Sequence, residues 1–311
     1  MNTKLLLAIT IIAIVLTALC VSASAQDSGD YWYTRALGLA GDGHYKEAIS
    51  AFDSALQLSP DNAGAWAGRA NALGSLAISE KNEDQLKESL DNYDKAIDLY
   101  DEAIKKDPQD ANAWYYKGMA LKNKVVTMQS GIDLGMNVDK QGISGYIDES
   151  FNAFNKATEI SPKFVAAWRN KGNVLYIMGK YNDSIQAYDN AIETDPKYML
   201  AWYNKGLSLY ELCRYNDSIQ AYDTAMKIGP EHAEIWFNNG KALAGVGNYD
   251  AAVKAYDNAL NLKPSLAAAW YYKGIAFDKL NFDIGAQAAF GKAASMGYTN
   301  SSKLFGVKFD I

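Results

Sequence analysis

Two histidines, His44 and His232, and two cysteines, Cys20 and Cys213, are all the imidazole and thiol the 311 residues hold. That is too little for a His/Cys metal site, a Ser-His-Asp constellation or a disulfide framework. The sequence holds no GxxxxGK[ST], HExxH, CxxC or GxSxG, the motifs that would place a phosphate, a metal or a nucleophile. Carboxylates are plentiful, 36 Asp and Glu against 30 Lys and Arg, but they recur at fixed intervals, as on a solvated face and not as one catalytic pair. A net charge of −6 disfavours nucleic acid as a partner. The sequence therefore predicts no enzyme, no cofactor and no metal. With 49% hydrophobic and 12% aromatic residues, the chain has ample material for a packed core.

The elements that carry these residues are repeated. The tryptophans are Trp32, Trp66, Trp114, Trp168, Trp202, Trp236 and Trp270, and the last four stand 34 residues apart. Pro60, Pro108, Pro162, Pro196, Pro230 and Pro264 each precede the next tryptophan by six residues, and no proline falls elsewhere. A proline at one phase ends a helical unit each time. Between them, as in 165–198, apolar or small residues at Trp168, Gly172 and Leu175, then Tyr181, Ile185, Tyr188, Ala191 and Ile192, give two amphipathic helices. Gly179 ends the first, and Asn182 or Asp183 is the expected cap of the second. A lone hairpin leaves its apolar face bare, so the units must stack.

The pattern Trp-x3-Gly-x2-Leu, then Ala-x3-Tyr-x2-Ala and Pro, resembles the tetratricopeptide repeat (TPR), and its phrasing is similar to TPR proteins of archaeal type. The resemblance implies an all-α fold, an α-solenoid of seven TPR hairpins over residues 29–300, wound into a right-handed superhelix. Numbering each repeat from three residues before its tryptophan, position 8 is always Ala or Gly and position 24 always Phe or Tyr. Position 7 is basic in six repeats (Arg35, Arg69, Lys117, Lys171, Lys205 and Lys273) and Asn239 in the other. Position 25 is Asp53, Asp101, Asp189, Asp223 and Asp257, so a ladder of position-7 cations and position-25 carboxylates is expected, with a solvated charge stripe as the alternative.

Two insertions break the period, near 74–92 and 129–147. The first continues the apolar spacing of Leu86, Leu90, Tyr93, Ile97 and Tyr100 and should lengthen its hairpin. The second mixes Gly131, Gly135, Gly142 and Gly145 with apolar residues and reads as an ordered loop, one that clamps a ligand or caps the solenoid edge.

In the TPR family the first helix of each repeat lines a groove, with positions 2, 5, 6, 9, 12 and 13 facing it. Carried over, this gives Asn170, Asn204 and Asn238 at position 6, Arg169, Tyr203 and Phe237 at position 5, and Asn173 at position 9. Tyr33, Tyr115 and Tyr271 share position 5. Amides at one phase can pair with an extended peptide backbone, and flat rings supply contact area. The function expected from the resemblance is a non-catalytic scaffold that binds an extended peptide or protein segment. The alternatives are a self-assembling structural component of the cell envelope and a substrate adaptor of an enzyme complex.

Leu5–Leu19, followed by Ala23-x-Ala25, reads as a signal peptide over 1–25 that directs the protein to a secreted or cell-envelope location. If uncleaved, residues 5–21 would tether it to a membrane. Asn182, Asn216 and Asn300 lie in N-glycosylation patterns. Residues 301–311 form a tail expected to cover the last hairpin.

Overall fold

The computed structural model describes residues 28–298. The signal segment 1–25 with Cys20, the Asn300 sequence pattern and the tail 301–311 lie outside these described residues. The fold is all-α. Fourteen helices are described, paired as seven antiparallel hairpins: α1 (Gly29–Gly41) with α2 (Tyr45–Leu58), α3 (Ala63–Glu80) with α4 (Glu83–Lys106), α5 (Ala111–Asp133) with α6 (Ile143–Ile160), α7 (Val165–Ile177) with α8 (Tyr181–Thr194), α9 (Met199–Glu211) with α10 (Tyr215–Ile228), α11 (Ala233–Gly245) with α12 (Tyr249–Leu262), and α13 (Ala267–Lys279) with α14 (Asp283–Ser295). They form two units, Met1–Ile160 with repeats 1 to 3 and Ser161–Ile311 with repeats 4 to 7. Among the described residues, no helix is long and apolar enough to cross a membrane.

Each hairpin closes on the small residue at position 8. A Cβ added at Gly206 would lie 2.5 Å from the Tyr222 ring, so the aromatic knob of the second helix needs the glycine hole of the first. The fixed six-residue spacing from proline to tryptophan has a bond behind it. The indole Nε1 donates to the carbonyl of that proline in every repeat after the first, at 2.8 Å for Trp168 and Pro162 and 3.2 Å for Trp270 and Pro264. The same bond joins Trp66 to Pro60, Trp114 to Pro108, Trp202 to Pro196 and Trp236 to Pro230. Proline thus ends one repeat and offers its oxygen to the next.

The charge ladder is present and runs between successive repeats. Arg69 pairs with Asp53 at 2.7 Å, Lys117 with Asp101 at 2.6 Å, Lys205 with Asp189 at 2.6 Å and Lys273 with Asp257 at 2.5 Å. Asn239 makes the neutral version, donating to Asp223 at 3.3 Å. The cations are mostly covered and the carboxylates remain largely exposed, so each pair adds at most about 1 kcal/mol and serves mainly to fix register.

The two insertions differ: the first lengthens its hairpin, and the second is not the loop expected. Helices α3 and α4 are 18 and 24 residues long against 13 and 14 for α9 and α10, so the second helix takes most of the first insertion. The second insertion is mainly helix: α5 runs 23 residues to Asp133, and only 134–142 remain between it and α6. Gly131 lies inside α5, and Leu86 and Val138 occupy the space where a side chain would be, so the close packing there needs glycine. Met136 and Val138 pack on Ala77, Ile78 and Leu86, and the Asn137 amide donates to Glu83 at 3.1 Å. Met136 and Val138 are thus spent capping the tall hairpin, while Leu134 stays exposed.

The second-helix caps also differ. Helix α8 starts at Tyr181 after Lys180, so Asn182 and Asp183 lie in its first turn and do not cap it. The tight turn at Gly179, with φ +72°, brings the Lys180 amide onto the Leu175 carbonyl at 2.9 Å.

Candidate functional site

In the second unit α7, α9, α11 and α13 lie side by side, and their shared face is where the sequence places the groove residues. Three asparagines of that set are buried. Asn170 is 0% exposed and its amide donates to the Ala166 carbonyl at 2.9 Å. Asn173 accepts from the Tyr188 hydroxyl at 2.8 Å and from the Asn204 amide at 2.9 Å, and both asparagines are at most 3% exposed. A peptide backbone does not reach these three buried amides, so the expected asparagine ladder is corrected: Asn170 bonds back into its own helix, and Asn204 bonds across to Asn173 of the neighbouring helix. Asn238 is half-buried, and its amide donates to the Tyr203 hydroxyl and the Glu234 carbonyl, each at 3.0 Å.

The position-5 rings are likewise turned inward. Tyr203 and Phe237 are nearly buried, and each packs on the position-24 ring of its own hairpin, Tyr222 and Tyr256, at centroid distances of 6.0 Å. Tyr33, Tyr115 and Tyr271 repeat the arrangement on Phe52, Phe154 and Phe290. Arg169, at the same position, is half-buried, and its Nε finds no acceptor among the described residues. His44 is exposed and His232 stands ahead of α11, both away from this face. Among the described residues, no group of three or more His, Cys, Asp or Glu could hold a metal ion.

What the face does present is a cation among rings. Lys241 on α11 extends its Nζ over Tyr210 of α9 at 4.5 Å from the ring centroid, with Phe237 and Tyr272 of α13 each at 5.9 Å. No carboxylate among the described residues comes within 4.0 Å of that ammonium. Burial pushes its pKa down, and the charge of Glu211 opposes the shift. Glu211 accepts a hydrogen bond from the Tyr176 hydroxyl at 3.1 Å. The ring of Tyr256 packs on Phe237 and Tyr272, and its hydroxyl is buried with no partner among the described residues. Tyr176, Tyr210, Glu211, Asn238, Lys241 and Tyr272 thus occupy positions 12, 12, 13, 6, 9 and 6 of their repeats, all on the face the resemblance marks. The signal for Lys241 was in the sequence: position 9 is Leu37, Asn71, Met119, Asn173, Leu207 and Ile275 in the other repeats. A lone lysine there breaks the pattern.

These hairpins and their spacing define a helical-repeat protein of the TPR kind. The chain matches the TPR repeat family over residues 89–125 and 172–212, and the tetratricopeptide repeat family over 29–62, 199–232 and 233–266. It carries tetratricopeptide repeats. Among solved structures it is similar to MamA (23% identity, 52% of this chain and 95% of that one, TM-score 0.48). It is also similar to MamA residues 41 to the end from Desulfovibrio magneticus RS-1 (18% identity, 51% and 90%, TM-score 0.48). A third is YrrB, described as a TPR protein with an unusual peptide-binding site (18% identity, 63% and 91%, TM-score 0.48). No curated protein matches the sequence.

Proposed function

We propose that the protein is a non-catalytic interaction scaffold and that the first-helix face of repeats 4 to 7 binds an extended, carboxylate-bearing segment of another protein. The observation that carries this reading is Lys241. A largely buried ammonium has lost much of its hydration and is held by ring faces alone, which compensate a charge only in part. A ligand carboxylate would supply the missing counter-charge, and the exposed edges of Tyr210 and Tyr272 would flank it. Arg169 extends the same face toward repeat 4 with a further donor. The resemblance to TPR proteins supports a peptide or protein segment as the partner class. The apolar run 5–19 and the small residues before Gln26 support action outside the cytoplasm, so the partner is sought in the cell envelope.

The test is co-purification from the native cell envelope with the parent chain and a Lys241→Gln variant, both shown folded by circular dichroism. The expected result is a partner, identified by mass spectrometry, that the parent retains and the variant loses. Equal retention by both would move the binding surface elsewhere.

A further inference from the structure

The ladder that joins the repeats has an open end. In repeats 2, 3, 5 and 7 the position-7 cation receives an aspartate from the repeat before it, and the tryptophan three residues earlier receives a proline carbonyl from the same place. Repeat 1 carries both receptors. Arg35 lies 5.3 Å over the Trp32 ring, the posture that Lys205 takes over Trp202 at 5.4 Å and Lys273 over Trp270 at 5.2 Å. Yet among the described residues no carboxylate lies within 4.0 Å of Arg35, which is exposed, and no acceptor meets the Trp32 indole. Beside them is an open hollow of about 690 Å³ lined by Ser28, Asp30, Tyr31, Thr34 and Arg35. Asp30 at its rim makes the hollow a poor general anion site, so the match is to Arg35 specifically.

The four completed junctions define what fits. The donated aspartate and the donated proline are always seven residues apart, as in Asp53 and Pro60 or Asp257 and Pro264, at the end of a second helix. We propose that the α1 face of repeat 1 docks the end of a partner protein's helix bearing Asp-x6-Pro, with the carboxylate on Arg35 and the proline carbonyl on the Trp32 indole. A second copy of this chain does not supply that motif at its own end. Gly291 and Tyr298 of the last repeat stand where Asp and Pro would be. The last repeat of a second copy therefore lacks the aspartate and the proline of the completed junctions. This site is separate from the Lys241 face and stands or falls independently of it.

The test uses the full chain, nitrogen-15 labelled, and as probe an acetylated, amidated peptide with the sequence of residues 249–266, which holds Asp257 and Pro264 at junction spacing. The Trp32 indole N–H, the one without a proline acceptor in the fold, should exchange fastest of the seven in the free chain. The probe should shift it saturably and slow its exchange. A D257N peptide should bind about twofold to fivefold more weakly, as expected for one partly exposed ion pair. An Arg35→Gln chain, which loses the contact with the Trp32 ring but no ion pair among the described residues and is shown folded by circular dichroism, should bind both peptides equally. The proposal is overturned if the probe leaves Trp32 unmoved or if the two peptides bind the parent alike. It is also overturned if the Trp32 indole is already as protected as the other six in dilute free chain, which would make this chain's own residues the occupant. Protection that grows with chain concentration would make a second copy the occupant and would overturn the proposal as well.

Discussion

At Gly206 the absence of one methyl group decides whether a hairpin closes. Alanine there would press on the Tyr222 ring, which is 0% exposed and cannot swing aside, so Gly206→Ala should cost about 1–3 kcal/mol in urea unfolding. Cys213 is the converse case. It holds φ +57° at the turn where repeats 1, 4 and 6 have Gly43, Gly179 and Gly247, so Cys213→Gly should stabilise by about 0.5–1 kcal/mol, read as a rise in the thermal midpoint. The buried tyrosines separate by their partners. Tyr188→Phe removes a made hydrogen bond to Asn173 and should destabilise by about 1 kcal/mol, whereas Tyr256→Phe deletes an unpartnered hydroxyl and should be neutral or stabilising. The knob and the hole were legible in the sequence as fixed small and aromatic phases. The role of Asn173 was not, because position 9 reads as groove by resemblance. The missed signal is a pairing of types: position 9 is Leu37, Met119 and Ile275 where position 24 is Phe, and Asn173 faces Tyr188. In the lengthened repeat 2, Asn71 accepts from Tyr93 instead.

Between elements, the inter-repeat joints carry a specific expectation. A double-mutant cycle on Lys205 and Asp189 should give a coupling of about 0.3–1 kcal/mol that shrinks as salt rises from low to high ionic strength, since the aspartate is largely exposed. A coupling of zero at low salt would reduce the ladder to a solvated stripe. The ladder could be read from sequence because both residue types recur at one phase. The proline-to-tryptophan bond could not, since spacing alone does not say that a carbonyl and an indole face each other. The second insertion was misread for a related reason. Glycine content in 131–145 argues for loop when only local preference is weighed, but Leu86 and Val138 fill the volume above Gly131 and make helix the better-packed state.

For the whole molecule, stability is a sum of hairpin and junction terms, so alkaline pH should act through the repeats that bury tyrosine, 2 and 4 to 7. Burial raises the pKa of Tyr93, Tyr188, Tyr222 and Tyr256 above the ordinary 10.0, and of Tyr272 up to about 12. Unfolded tyrosines ionise from pH 10 while the folded ones stay neutral, so the folded state binds more protons there. Stability is intact below that pH and falls as pH rises through the folded values. Tyrosinate absorbance should therefore appear together with loss of helical circular dichroism, in one transition. Lys241 titrates in the opposite sense. Its lowered pKa penalises folding only while it is charged, and carboxylate binding at its face should weaken as pH rises through that lowered value. The architecture was readable from seven tryptophans and six prolines; which side chains of the first-helix face stay accessible was not, because helix packing chose which polar groups turn inward.

The most direct test of the scaffold reading is calorimetric titration of the full chain with an unstructured glutamate-rich peptide and its glutamine counterpart. The parent should favour the glutamate peptide by about tenfold, the worth of one charge-assisted contact to a covered ammonium, and Lys241→Gln should erase that preference while leaving the fold intact. Equal affinity of the parent for both peptides, or a preference that survives Lys241→Gln, would contradict the account.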